Sequence, residues 1–227
     1  IVPKAHKRNE LAYEEMLELA SLGAKVLQTR SVEMAMKEEL PIQVLSSFED
    51  ALGSDFPGTT IKSEEAIVEK EVVNGITYSK DDAKIVLRNV PDIPGLAAKV
   101  FGPLADAGIN VDMIVQNVSA DTQQTDMTFT VPRSSKDKAL EILGQQEELK
   151  DLFITGAGTV TKVSVVGIGM RSHAGVAQKM FKTLAEKGIN IQVISTSEIK
   201  ISVLIDEEYT ELAIRALHSA YGLDTVG

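Results

Sequence analysis

Apolar residues recur at helical spacing in two stretches of this chain, and the two stretches match. Leu96, Ala97, Val100, Phe101 and Leu104 form one stripe, and Val176, Ala177, Met180, Phe181 and Leu184 repeat it 80 positions later. The spacing predicts helices over 96–107 and 176–187, each closed by a glycine, Gly108 or Gly188, at the position that favours a left-handed backbone. Residues 84–90 alternate as a strand before the first helix, and 110–116 and 190–196 are the strands that follow the two helices. Then Met127, Phe129 and Val131 alternate with Thr128 and Thr130, as Ile201, Val203 and Ile205 alternate with Ser202 and Leu204. Second helices are predicted over 136–145 and 207–220.

Gly95/Gly175, Ala97/Ala177, Lys99/Lys179, Phe101/Phe181, Leu104/Leu184, Ala105/Ala185, Gly108/Gly188, Ile109/Ile189, Asn110/Asn190 and Ile114/Ile194 are identical between the copies. A duplication of this length implies two structural units of one kind. The order β-α-β-β-α in each is that of a ferredoxin-like unit lacking one strand. The first copy has a candidate at 152–154 and nearby residues. The second has only 223–227 after its last helix, so its missing strand must come from elsewhere, and GITYSK at 75–80 is spare. The expected fold is therefore α+β, with two βαββαβ units, the first (84–159) inserted in the second (75–83 plus 160–227).

The first 50 residues differ in character. Residues 9–22 read as a helix stopped by Gly23, Ser31 as the N-cap of a helix through 39, and PIQVLSS at 41–47 as a buried strand. That alternation fits the tail of an α/β domain. Residues 51–74, rich in charge, Gly and Pro, read as a linker with one short strand.

Composition narrows the function. With 33 Asp and Glu against 23 Lys and Arg, the net charge of -10 opposes nucleic acid as a main partner, and 4% aromatics supply few stacking platforms. The absence of Cys removes thiolate and zinc-thiolate chemistry. No run of about 18 apolar residues predicts a membrane span, and the expected setting is the cytoplasm. The start at Ile1 instead of Met suggests a fragment or a processed product.

Chemistry concentrates at the turn between the first strand and first helix of each copy, PDIPGLA at 91–97 and MRSHAGVA at 170–177. A helix N-terminus exposes unpaired N–H groups that suit a carboxylate, and Gly95 and Gly175 permit close approach. Asp92 would hold an ammonium group, so the first turn has parts for both ends of an amino acid. The same Asp-x-Pro-Gly run is also a good helix start with no ligand. Asn110 and Asn190 begin the next strands, and Gln116-Asn117 and Ser197-Glu198 end them, either lining a pocket or capping a sheet. Gly156-x-Gly158 and Gly167-x-Gly169 lack the third glycine of a dinucleotide loop. His6, His173 and His218 lack metal-ligand spacing, and no nucleophile–base pair is legible, so metal and catalytic residues are both expected to be absent.

At these motifs the chain resembles the C-terminal part of bacterial aspartate kinase. IVPKAHKRNELAYEEMLELASLGAKVLQTRSVEMAMKEELPIQV is similar to the end of its amino-acid-kinase domain (1–50 here), and the repeats, with QNVS and STSEIKISVLI, to its tandem ACT domains. The resemblance implies an enzyme that phosphorylates the β-carboxylate of aspartate with ATP and Mg, with Lys25 and Val26 touching the nucleotide. The family's phosphate loop and aspartate-binding residues have no counterpart, which implies that this chain alone is inactive unless it serves as a β-type regulatory subunit. It further implies feedback by lysine and/or threonine. Asp92, Ile93, Pro94, Gly95, Leu96, Ala97, Asn110, Val111, Asp112 and Gln116 would line one effector site, and Arg171, Ser172, Asn190, Ile191, Ser197 and Glu198 the other. The implied partners are a second copy through the ACT units or a full-length catalytic subunit. An ACT pair serving another biosynthetic enzyme is the alternative.

Overall fold

The structure, a computed structural model, describes residues 1–48, 58–67, 72–118, 124–147, 149 and 152–224. Its N-terminal unit comprises β1 (Glu10–Ala12), α1 (Tyr13–Leu19), α2 (Thr29–Lys37), β2 (Ile42–Val44) and β3 (Thr59–Lys62), in a sheet of order β1-β3-β2. The helix expected over 9–22 starts only at Tyr13. Glu10–Ala12 pairs in parallel with β3 because Leu11 and Ala12 are buried in two different cores, which a strand's alternation satisfies and a helix's does not. The helix expected after Ser31 begins at Thr29, since the Ser31 and Val32 N–H groups already donate to the Gln28 carbonyl. The strand expected at 41–47 shortens to β2, an edge strand that is only half-buried. The segment expected as a linker contributes β3, the central strand, so the N-terminal unit extends to Lys62; residues 51–57 and 68–71 lie outside the described residues.

After α1 the chain makes a π-helical turn over Ala20–Ala24. Gly23 has φ 111°, and a Cβ there would stand 2.5 Å from the Tyr78 carbonyl oxygen, so only glycine fits.

The first repeat folds as β5 (Asp82–Pro91), α3 (Leu96–Asp106), β6 (Asp112–Val118), β7 (Gln124–Pro132), α4 (Lys136–Gly144) and β8 (Phe153–Ala157), preceded in the chain by β4 (Gly75–Ser79). The second comprises β9 (Val160–Val166), α5 (Val176–Glu186), β10 (Val193–Thr196), β11 (Lys200–Asp206) and α6 (Thr210–Ala220). The antiparallel sheets have the orders β6-β7-β5-β8 and β10-β11-β9-β4. Strand β4 thus supplies the fourth strand of the second unit, pairing Gly75 with Val166 through Ser79 with Lys162, and the first unit is inserted behind it.

Helices α3 and α5 both end as the glycines predict. Gly108 donates to Ala105 and Ile109 to Leu104, and Gly188 and Ile189 make the same two bonds to Ala185 and Leu184. Leu96, Val100 and Leu104 of α3, and Val176, Met180 and Leu184 of α5, are buried on their own sheets; Phe101, Ala177 and Phe181 are half-buried, and Ala97, at the start of its stripe, is exposed. In the first unit Phe101 meets Phe129 edge-to-face, with ring centroids 5.1 Å apart.

The alternation expected in β11 misses one feature. Leu204, on the face expected to be polar, is fully buried, and every residue of β9 is buried too. The sheet has a second cover. Met113 and Val115 of the first unit pack on Val160, Val193 and Leu204, while the Leu22 carbonyl accepts from Thr77 and Glu18 pairs with Lys200 at 2.9 Å on the N-terminal side. No described helix is long and apolar enough to cross a membrane.

Candidate functional site

The two turns are built alike. Gly95 and Gly175 are the N-caps of α3 and α5, with φ 90° and 94°, and an added Cβ would meet nothing within 4 Å. Both glycine carbonyls accept the first helical bonds, from Lys99 at 3.1 Å and Lys179 at 2.9 Å. Each turn therefore faces open space with helix N–H groups behind it, the arrangement that attracts an anionic group.

Their side chains differ. In the first turn Asp92, Ile93, Pro94, Gly95 and Ala97 are exposed, and Leu96 is buried in the core. A break in the β5 register between Leu87 and Val90, with Asn89 at φ 57° and its N–H bonded to the Asp126 carboxylate at 2.9 Å, redirects the chain into this turn. Asp92 makes no ion pair among the described residues, so its carboxylate is available to a cation. Asn110 is exposed just before β6, Gln116 lies exposed in that edge strand, and Val111 packs against the first core.

Asp112 points elsewhere. Its carboxylate accepts from Lys162 of the second unit at 2.9 Å, and Lys162 also lies 3.1 Å from buried Asp82. Burial opposes ionisation of Asp112, but the Lys162 ammonium and the Met113 N–H outweigh it and hold the carboxyl below its ordinary range. Burial likewise opposes the Lys162 charge, and the two carboxylates outweigh it, raising its pKa. Asp112 thus joins the two units in addition to standing near the first turn in sequence.

The second turn, a 3₁₀ segment over Ile168–Ser172, is basic and paired. Arg171 lies 2.6 Å from Glu64 and 3.3 Å from Glu198, which brings together two residues expected at this site. The Ser172 hydroxyl donates to the Gly169 carbonyl. Ser197 closes the β10–β11 turn by donating its N–H to the Lys200 carbonyl at 2.8 Å. Asn190 is exposed and Ile191 packs against the second core.

A cavity of 480 Å³ opens beside this turn, lined by His173, Gly175, Lys179, Tyr221 and Val72–Val73. The Lys179 ammonium lies 5.4 Å from the Tyr221 ring centre, and the Tyr221 hydroxyl donates to the Val176 carbonyl at 2.7 Å. Burial pushes that phenol's pKa up, against a weaker opposing effect of the Met180 backbone. Sequence reasoning marked Gly175 and the 170–177 turn that holds His173, but not Lys179, Tyr221 or Val72–Val73 as parts of a site. The repeated Lys99/Lys179 pair, one turn inside each helix, is the signal that could have found Lys179; Tyr221 and Val72–Val73 arrive only through folding.

Lys25, at φ 53°, lines an 880 Å³ cleft between the π-helical turn and β4, together with Lys80 and Arg133. Val26 is exposed and outside that cleft. Lys80 and Arg133 are both engaged by Glu207, at 3.5 and 2.8 Å, whereas Lys25 makes no ion pair among the described residues. No group of three metal-ligating side chains is gathered among the described residues.

The family model for the ACT domain matches residues 84–146 and 163–221, the two repeats. The aspartokinase of Pseudomonas aeruginosa is 52% identical over 227 residues, covering 99% of this chain and 54% of the relative, so the chain spans about half the length of the curated relatives it matches. Among solved structures, one of aspartokinase alpha and beta subunits is 56% identical, with a TM-score of 0.62, over 66% of this chain and 99% of the other. The ligand-free regulatory subunit of aspartate kinase from Thermus thermophilus is 43% identical, with a TM-score of 0.61 and the same shares covered. Matched in both repeats, and matching 99% of such a regulatory subunit with 66% of its own length, the chain belongs to the ACT-domain family, as the paired ACT regulatory part of an aspartokinase.

Proposed function

We propose that this chain senses lysine and/or threonine and relays feedback inhibition to an aspartate kinase, which converts L-aspartate and ATP to 4-phospho-L-aspartate in the cytoplasm. The observation that carries the reading is the pair of open, glycine-capped turns, Gly95 and Gly175, placed alike in two ACT units. An effector's carboxylate sits over a helix N-terminus. Its ammonium group is taken by Asp92 at the first turn, while at the second it competes with Arg171 for Glu198. Binding favours one packing of the ACT units, and feedback needs differential affinity for two packings worth about 1–3 kcal/mol.

In this reading Mg-ATP supplies the phosphoryl group at a site mostly contributed by the remainder of the longer enzyme. Lys25 borders it from the cleft and Val26 from just outside that cleft, and an ammonium with no ion pair among the described residues fits a contact at the edge of a nucleotide but not a full phosphate site. The chain works with a second copy through its ACT units or with a catalytic subunit.

Titration calorimetry of the chain with L-lysine, with L-threonine, and with each in the presence of the other tests the reading. Saturable binding, tighter when both are present, supports a concerted sensor. No heat with either ligand, from a folded sample, overturns it.

A further inference from the structure

Glu15 is a carboxylate with no exposed surface, and it joins three separate parts of the chain. It lies in the first turn of α1. Its Oε2 accepts the Ala12 N–H at 3.0 Å; its Oε1 accepts both the Asn74 side-chain amide at 2.7 Å and the Ile168 N–H at 2.8 Å. Ala12 ends β1 in the N-terminal unit, Asn74 leads into β4, and Ile168 opens the 3₁₀ segment that carries Arg171 and Ser172.

All three partners are donors, so the site accepts a carboxylate and nothing else of that shape. An ionised Glu offers only acceptors, whereas Gln would turn one N–H against another buried N–H. Two of its partners, Ala12 and Ile168, also pack with Ile67 and Ile199 in a small apolar cluster spanning the N-terminal unit and the second ACT unit. Outside it, Lys200–Glu18 at 2.9 Å links the same two units, and Arg171–Glu64 at 2.6 Å ties the turn to the segment that follows β3. The turn is therefore held at its N-terminal end by a buried group and at its far end by exposed ones.

We infer that Glu15 is a positioning residue for the second turn, and that through it the state of this turn is read in α1. This rests on the reading of the turn as an amino-acid site, and deepens it by naming where the signal leaves that site. A movement of the Ile168–Ser172 segment cannot occur without breaking or dragging the Ile168–Glu15 bond. The same carboxylate caps the start of α1, so the helix responds at its first turn.

Amide hydrogen exchange on the full chain tests this in two arms. Without ligand, Glu15→Gln is expected to speed exchange over 168–172 by about tenfold, the consequence of one unsatisfied buried donor. Amides of α3 in the first unit should stay within about twofold of the unaltered chain. Unchanged exchange at 168–172, or an equal rise everywhere, overturns the inference. If Glu15→Gln does not fold, Asn74→Ala, which removes one donor and leaves the others bonded, should speed the same amides about threefold; no change there overturns it equally.

In the second arm, saturating L-lysine or L-threonine should alter exchange over 13–19 in the unaltered chain and leave it unaltered in Glu15→Gln at matched occupancy. A response in α1 that persists in Glu15→Gln overturns the relay. If neither amino acid binds the unaltered chain, the sensor reading fails instead, and the ligand-free arm still decides whether Glu15 holds the turn.

Discussion

The Lys162 ammonium of the second ACT unit lies 2.9 Å from the Asp112 carboxylate of the first. A mirror contact stands beside it, because Lys84 of the first unit donates to the Gln192 side-chain oxygen of the second. Each lysine sits on the first strand of its unit, and each acceptor flanks the second strand of the other. The two units are therefore related by an approximate two-fold axis, and a change of packing must break both contacts together.

Lys162 is the costlier of the two lysines to remove. Lys162→Met would leave Asp82, 7% exposed, as an uncompensated buried charge. A loss of about 3–5 kcal/mol is expected, read as a fall in the urea midpoint. Asp82→Asn combined with Lys162→Met should recover part of it; a double variant as unstable as the single one would contradict this account.

The same cluster sets a pH dependence. Asp112 is held below its ordinary value of 3.8, so its contribution is full above that value and disappears as pH falls through the lower folded value. Lys162 is held above 10.5, so its contribution is full below that and is lost only as pH rises beyond it. Stability owed to this contact should be level across neutral pH and fall at both extremes. Asp112→Asn should flatten the acid limb of urea midpoints measured against pH.

Asp92→Ala should abolish lysine or threonine binding at the first turn with little effect on stability, because the side chain is exposed and unpaired among the described residues. Calorimetry beside a thermal melt separates the two effects, and an unchanged affinity would remove Asp92 from the site.

Arg171 lends itself to the opposite comparison. Its ion pairs are substantially exposed, so Arg171→Ala should change global stability by under about 1 kcal/mol. Effector affinity at the second turn should change several-fold, since Glu64 and Glu198 lose their shared partner. Equal affinity in variant and unaltered chain would place the binding determinants elsewhere.

Gly23→Ala is expected to destabilise the junction between the π-helical turn and β4 by at least about 2 kcal/mol, from the left-handed backbone and the contact with the Tyr78 carbonyl. A chemical melt within error of the unaltered chain would mean that the backbone relaxes there.

Much of the fold follows from local pattern. The helix stripes of α3 and α5, their closing glycines and the alternation in β7 are fixed by short-range sterics and by burial of one face, which repeat every 3.6 or 2 residues and so show in the chain. The shortage of a strand in the second repeat even pointed to β4. The glycines at 95 and 175 marked both turns, and Arg171 and Glu198 were both expected at the second one.

What lay beyond the sequence depends on which surfaces meet. Leu204 looks outward-facing until Met113 and Val115 cover it; Leu11–Ala12 looks helical until two cores claim alternate residues. Asp112 belongs to the first turn by sequence but spends its charge on Lys162, and nothing near Glu15 announces that its carboxylate will meet an amide 153 positions away. The sequence by itself determined two ACT units, their interleaving and the glycine-capped turns, because each is encoded within a few residues or by a repeat. Only the tertiary structure decided how those units lock to one another and to the N-terminal unit, because the free energy of a buried charge or a covered face is set by partners that the chain brings together from far apart.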